Sequence, residues 1–176
     1  DGGWVLDGEK WFVLDGHIAD RLLVVARSAG AAGDARGLSL FLVDPAAPGV
    51  ARTRTWMADS RNAARVTLSQ VRVDAQDLIG PAHEGAGALE ATLDRARVCL
   101  AAEALGVVGE AFDRTVAYLK ERVQFDVPIG SFQALQHRMA RLYVEIQLLE
   151  SSIAAAAEAV DGGRADAAQL VSLAKA

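Results

Sequence analysis

The chain has 176 residues, 52% of them apolar by type, with 18 Lys and Arg against 23 Asp and Glu for a formal charge of −5. This length and apolar content support a sizeable core, as one large domain or two small ones. The acidic balance and scattered basic residues exclude an electrostatic groove for nucleic acid, no apolar run approaches a membrane span, and the first residues lack a secretory signal. A cytoplasmic protein is the expectation.

In chain order, Trp4-Val5-Leu6, an Asp7-Gly8 turn and Lys10 to Leu14 read as a tight hairpin, with a second turn after it at Asp15-Gly16. Trp11 and Phe12 alternate in this pattern and so point to opposite faces, one to the core and one to whatever abuts the sheet. Short strands come next at Arg21–Arg27, Leu38–Asp44, Val50–Trp56 and Ala63–Val71, with a surface loop at 29–37 and a turn at Pro45 and Pro48. Residues 1–80 therefore predict a small antiparallel β-barrel or sandwich.

After Gly80-Pro81 the apolar period changes. Leu89, Leu93, Ala96, Leu100, Ala104, Val107, Ala111, Thr115 and Leu119 are three or four apart, predicting one long helix from about 85 to 124. Leu135, Met139, Leu142, Ile146, Leu149, Ile153 and Val160 predict a second from about 132 to 161, after a reversal at Pro128-Ile129-Gly130-Ser131, and a third helix starts near 165. Residues 81–176 thus read as part of an antiparallel four-helix bundle. So few helices cannot cover a bundle core, so further chain or another subunit supplies the rest. The ends, Asp1 before a Gly-Gly turn and Ala176 within a helical pattern, read as those of a segment. Ala154–Ala157 either permits close helix approach or reflects helix propensity alone.

Hydrolytic and metal chemistry find no support: there is no G-x-S-x-G, no H-E-x-x-H and no Cys pair, and His17, His83 and His137 fall in unrelated contexts. The single Cys99 excludes an internal disulfide and reads as a small buried hydrophobe. Neither G-x-G-x-x-G nor a Walker loop occurs, and Gly106 and Gly109 read as helix-packing positions. Two polar clusters remain. At the corner between the long helices, Arg122-x-Gln124-Phe125 precedes Phe132, Gln133 and Gln136, and this set either caps carbonyls and faces water or holds an anionic, planar cofactor. Asp94-Arg95-x-Arg97 either lies on a solvated face or pairs with carboxylates or an anionic ligand.

Taken in order, several segments resemble the acyl-CoA dehydrogenase family: GEKWFVLDG at Gly8–Gly16, Ala19-Asp20, Gly37 to Val43, Val71-Arg72-Val73, Leu78-Ile79-Gly80, Glu84-Gly85, LDRAR at Leu93–Arg97, Ala104-Leu105-Gly106, the Arg122 corner with Pro128-Ile129, and Phe132-Gln133 with Gln136. The resemblance spans nearly the whole chain, from inside the family's middle β-domain to inside its C-terminal four-helix bundle. It implies an FAD enzyme, a dimer of dimers, that removes two hydrogens from an acyl-CoA thioester. A Glu takes the α proton, the flavin accepts the β hydride, and electrons pass to an electron-transfer flavoprotein. By the same resemblance Arg122 and Gln124 reach the pyrophosphate of a neighbouring subunit's FAD, Phe125 packs beside it, and Gln133 and Gln136 lie near its adenosine half. Arg97 and Asp94 match positions near the acyl thioester, and Phe12 and Leu14 positions beside the flavin ring.

The chain departs from the family at three places. Leu14 stands where a Thr or Ser hydroxyl usually meets the flavin, and MADSRNAAR at 57–65 lacks the hydroxyl pattern of the usual G-x-R-x-S-x-T. Ala96 stands where a minority of members carry the catalytic Glu, so no base is identified here and one is expected beyond Ala176. Three functions stand as alternatives: an acyl-CoA dehydrogenase, a catalytically weak FAD-binding or structural subunit of a heteromeric dehydrogenase, and a related flavin oxidase.

Overall fold

The computed structural model describes residues 2–34 and 36–176, so the expected segment end at Asp1 lies outside the described residues. The chain divides into two compact units, residues 1–89 and 90–176. The first contains two open, antiparallel three-stranded sheets, built from β1 (Trp4–Leu14), β2 (Leu22–Arg27), β3 (Leu38–Val43), β4 (Val50–Trp56), β5 (Asn62–Val73) and β6 (Leu78–Ile79). Strand order is β1-β5-β4 in one sheet and β2-β3-β6 in the other. Alternation along the strands turns Leu6, Val66, Leu68, Val71 and Val73 of one sheet toward Leu22, Val24, Phe41 and Val43 of the other, and these side chains form the core. Trp4 packs edge-on to Phe41 at 5.5 Å between ring centroids.

The expected hairpin at Asp7-Gly8 is absent. β1 runs unbroken through it and pairs with β5, far along the chain, with Trp4 opposite Val73 and Leu14 opposite Ala63. Asp-Gly is a strong local hairpin signal, but here it forms one side of a bulge, where Asp7 faces Ser69 and Gln70. The Asp7 carboxylate accepts hydrogen bonds from the Gln70 amide nitrogen at 2.8 Å and from its Nε2 at 2.6 Å. Long-range pairing of an 11-residue strand with a 12-residue one outweighs one turn propensity. The Asp15-Gly16 turn does form, with the amides of Ile18 and Ala19 both donating to the Asp15 carbonyl at 3.0 Å.

A second bulge sets Trp11 and Phe12 together against Arg65, with Phe12 at φ 55°. The expected division of these rings between core and surface therefore fails, because the bulge breaks the two-residue alternation. Both are exposed, 56% and 58%, with centroids 6.3 Å apart.

The second unit contains most of α1 (Ala86–Glu121), then β7 (Val123–Gln124), β8 (Val127–Pro128), α2 (Gln133–Asp161) and α3 (Ala167–Lys175). Its core joins Ala101 of α1 to Ile153 and Ala156 of α2 and to Val171 and Ala174 of α3, with small residues allowing close approach. Cys99 is exposed rather than buried: the face of α1 that packs carries Val98, Ala101 and Leu105, and position 99 lies about 100° away from 98 around the helix. The reversal between the long helices also differs from expectation. α1 stops at Glu121, and the chain turns back through Phe125 and Asp126, at φ 55° and 65°, between the paired strands β7 and β8. That is a two-residue hairpin turn, made without the usual glycine. Pro128 to Ser131 then leads into α2 as a short 3-10 turn.

Candidate functional site

The corner is built around this small hairpin. The Ile129 amide donates to the Arg122 carbonyl at 2.8 Å, closing the base of the hairpin. Gly130 lies so close to the last turn of α1 that a Cβ there would meet the Leu119 carbonyl oxygen at 2.8 Å, so the backbone of the corner is held against the helix. The left-handed turn leaves Phe125 86% exposed, touched edge-on by Phe132 at 6.2 Å. Non-glycine residues in this conformation are strained by about 1–3 kcal/mol each, and such strain gathers at ligand sites.

Arg122, Gln124, Phe125, Gln133 and Gln136 are all exposed around this one corner. Gln124 Nε2 donates to the Val123 carbonyl at 2.9 Å, and Gln136 Nε2 to the Gly130 carbonyl at 2.9 Å, and neither amide oxygen has a partner among the described residues. The Arg122 guanidinium has no side-chain partner among the described residues. An unpaired cation, amide groups and an open aromatic ring together fit a ligand with an anionic linker and planar ends.

Asp94 and Arg97 are one turn apart on α1 and pair with each other, Arg97 Nη1 to Asp94 Oδ1 at 2.7 Å, with Glu90 Oε2 at 3.6 Å. Asp94 is the more covered, its side chain 17% exposed against 37% for Arg97. Of the three fates open to these arginines, a solvated face, carboxylate partners or an anionic ligand, the structure shows Arg97 paired with carboxylates of its own helix, while Arg95 donates to the Ala91 carbonyl at 3.1 Å.

In the first unit, Phe12 and Leu14 present open apolar surface at the end of β1, Leu14 being 71% exposed. A cavity of about 230 Å³ beside Leu14 is lined by Lys10, Val13, Leu14, Ala19, Leu22 and Val66 among others. Arg65 lies over the Trp11 ring at 4.5 Å and hydrogen-bonds Glu9. That bond, aided by the charge of Arg65 and opposed by partial desolvation, holds the Glu9 carboxyl below its ordinary range. Beside the 57–65 stretch, Arg54 stacks on Trp56 at 3.9 Å and donates to Asn62 Oδ1 at 3.1 Å.

Sequence reasoning missed several organising contacts. Ser28 Oγ lies 2.8 Å from His83 Nδ1 and 2.6 Å from the buried Ser39 hydroxyl, which also accepts the His83 amide at 2.8 Å. Arg27 donates to the carbonyls of Ala29, Asp34 and Arg36, and Arg52 to those of Gly16 and Ala19. None of these has a signature in sequence, because the acceptors are backbone atoms or distant hydroxyls. Among the described residues no cluster of three or more His, Cys, Asp or Glu is placed to hold a metal, and no helix is long and apolar enough to cross a membrane.

The family profile described as the acyl-CoA dehydrogenase middle domain matches residues 1–73, and that of the acyl-CoA dehydrogenase C-terminal domain matches residues 83–176. The chain is 34% identical over 165 residues to a probable acyl-CoA dehydrogenase, YngJ, of Bacillus subtilis, covering 92% of this chain and 43% of that protein. Its fold superimposes on butyryl-CoA dehydrogenase from Megasphaera elsdenii with a TM-score of 0.87 at 26% identity, covering 99% of this chain and 46% of the other. It also superimposes on a structure described as a Tcur3481-Tcur3483 steroid ACAD variant, at 40% identity and a TM-score of 0.78, covering 99% of this chain and 45% of that one. The chain belongs to the acyl-CoA dehydrogenase family. It spans less than half the length of these relatives.

Proposed function

We propose that the whole protein is an FAD-dependent dehydrogenase of acyl-CoA thioesters that passes its electrons to an electron-transfer flavoprotein. In this reading the first unit is part of the middle β-barrel domain and the second part of a four-helix bundle through which a cytoplasmic dimer of dimers assembles. The observation that carries it is the corner: an Arg122 with no side-chain partner among the described residues beside a strained, open Phe125, with Gln124, Gln133 and Gln136 around them. There Arg122 and Gln124 hold the pyrophosphate of a neighbouring subunit's FAD, Phe125 packs beside that cofactor, and Gln133 and Gln136 meet its adenosine half.

FAD, when bound, supplies the acceptor for the β hydride. This chain's own part is to bind and orient. Phe12 and Leu14 shield a face of the ring from water, while Asp94 fixes the direction of Arg97 toward the thioester. The α proton goes to a base outside these residues. The test is anaerobic mixing of the full-length, FAD-loaded protein with a panel of acyl-CoA thioesters, short, long and bulky. Bleaching of the flavin band by any member supports the dehydrogenase and reports its substrate class.

A second reading is that this is the catalytically weak subunit of a heteromeric dehydrogenase. Leu14 favours it, since it places an apolar, 71% exposed side chain where a hydroxyl would steady the reduced ring. The paired designation of the 40%-identical relative is in keeping with such an assembly. FAD retention without bleaching across the panel supports this reading over the first.

A further inference from the structure

The end of β1 that carries Phe12 and Leu14 is weakly held by its own sheet. The bulge interrupts the ladder after Lys10, so only Val13, opposite Ala64, and Leu14, opposite Ala63, pair beyond it, and β1 is an edge strand. Immediately after Leu14 the chain enters the turn at 15–18, which starts from Asp15 in the left-handed region at φ 52°. A terminal strand segment with so few ladder bonds frays unless something else fastens it.

Val13 and Ala19 pack against the core of the sheets, and Arg52 supplies the polar fastening. It lies on β4 opposite Val66, which in turn faces Lys10 of β1, so it sits two strands away from the segment in question. From there its Nη1 donates to the carbonyls of Gly16 at 3.3 Å and Ala19 at 3.2 Å, at either side of the turn. It has no carboxylate partner among the described residues, so its charge is directed wholly at these two backbone oxygens. Three further contacts converge. The Asp15 amide donates to the Asn62 carbonyl at 3.0 Å, and Arg54 holds the Asn62 side chain at 3.1 Å. At Gly16 a Cβ would come within 2.9 Å of Val13 and 3.2 Å of Ala64, so the turn seats directly on the sheet. Ala19, gripped by Arg52, lines the same cavity as Leu14.

We infer that Arg52 is a positioning residue: by clamping the carbonyls of Gly16 and Ala19 it sets the direction in which Phe12 and Leu14 meet a planar cofactor. The inference rests on the cofactor reading of that segment. Arg52 does not touch the ligand, and it acts through the turn.

The test uses the full-length protein with FAD. Arg52→Ala and Arg52→Gln are compared with Arg52→Lys, which keeps a charged donor, and with Thr53→Ala on the opposite face of β4 as a control. Amide exchange over residues 13–20, the visible circular dichroism of the flavin and FAD affinity are read together. A charged hydrogen-bond donor lost from this partly buried turn predicts exchange faster by about tenfold and FAD binding weaker by roughly five- to tenfold, with an altered dichroic band. Arg52→Lys is expected to recover part of each change and Thr53→Ala to show none. Faster exchange with unchanged dichroism and affinity overturns the inference, as does exchange that stays at the wild-type rate. Wild-type protein that binds no FAD sinks the cofactor reading itself, a result distinct from either.

Discussion

The two units bury their side chains in different ways. In the sheet unit Phe41, Val43, Val66 and Val71 are at most 1% exposed. In the helical unit the 36-residue α1 buries only Ala101, while Val107 and Leu148 are 66% and 65% exposed. Two sheets laid face to face cover each other's alternate residues, whereas two long helices and a 9-residue third cover one stripe apiece. The sheet unit is therefore a scaffold with its own closed core. The helical unit has apolar faces that this chain alone leaves open.

The largest expected effect tests the closed core. Phe41→Ala removes a fully buried ring and should cost about 3–5 kcal/mol in denaturant unfolding of the sheet unit. Leu148→Ala sharpens the contrast: on a solvated face it costs no more than about 0.5 kcal/mol. A loss above roughly 2 kcal/mol in the full-length protein would mean that its open face is covered in the assembly.

Next in size, Arg122→Ala should weaken FAD binding by about 10- to 100-fold, equivalent to roughly 1.4–2.8 kcal/mol, with Arg122→Lys recovering part. Equal affinity in titrations of wild type and variant would remove the pyrophosphate role of the corner. The folded state should be unaffected, because the guanidinium has no partner among the described residues to lose.

The smallest effect is electrostatic. Glu9 is held below its ordinary value of 4.5 by its hydrogen bond to Arg65, so the pair's contribution is full above that value and is lost as pH falls through the lower, folded one. Glu9→Gln should leave the sheet unit slightly less stable at pH 7 and less sensitive to acid below about pH 4.5. Melting curves of the two proteins at pH 7 and pH 3.5 that run parallel would show that this exposed pair contributes nothing.

Much of the fold was legible from periodicity. The strands at 22–27, 38–43, 50–56 and 62–73 and the long helices lie within a few residues of their expected bounds, since alternation of two and periods of three and four arise directly from backbone geometry. Two of the misreadings share one cause: the local signals of Asp7-Gly8 and of the Trp11-Phe12 alternation are both overruled by β5, which lies far along the chain and meets β1 with two bulges. The corner likewise carries its turn on Phe125 and Asp126; Asp tolerates the left-handed region, but a bulky aromatic such as Phe125 does not announce it.

By itself the sequence determined the order of elements, their type and the set of polar residues at the corner, because these depend on neighbours a few positions apart. Only the tertiary structure decided which polar groups have distant partners. Arg122 is left without one among the described residues, and Arg52 is bound to two carbonyls of a distant turn. Those outcomes depend on where strands and helices bring atoms within about 3 Å of one another, a distance that hydrogen bonding requires and that spacing along a chain does not specify.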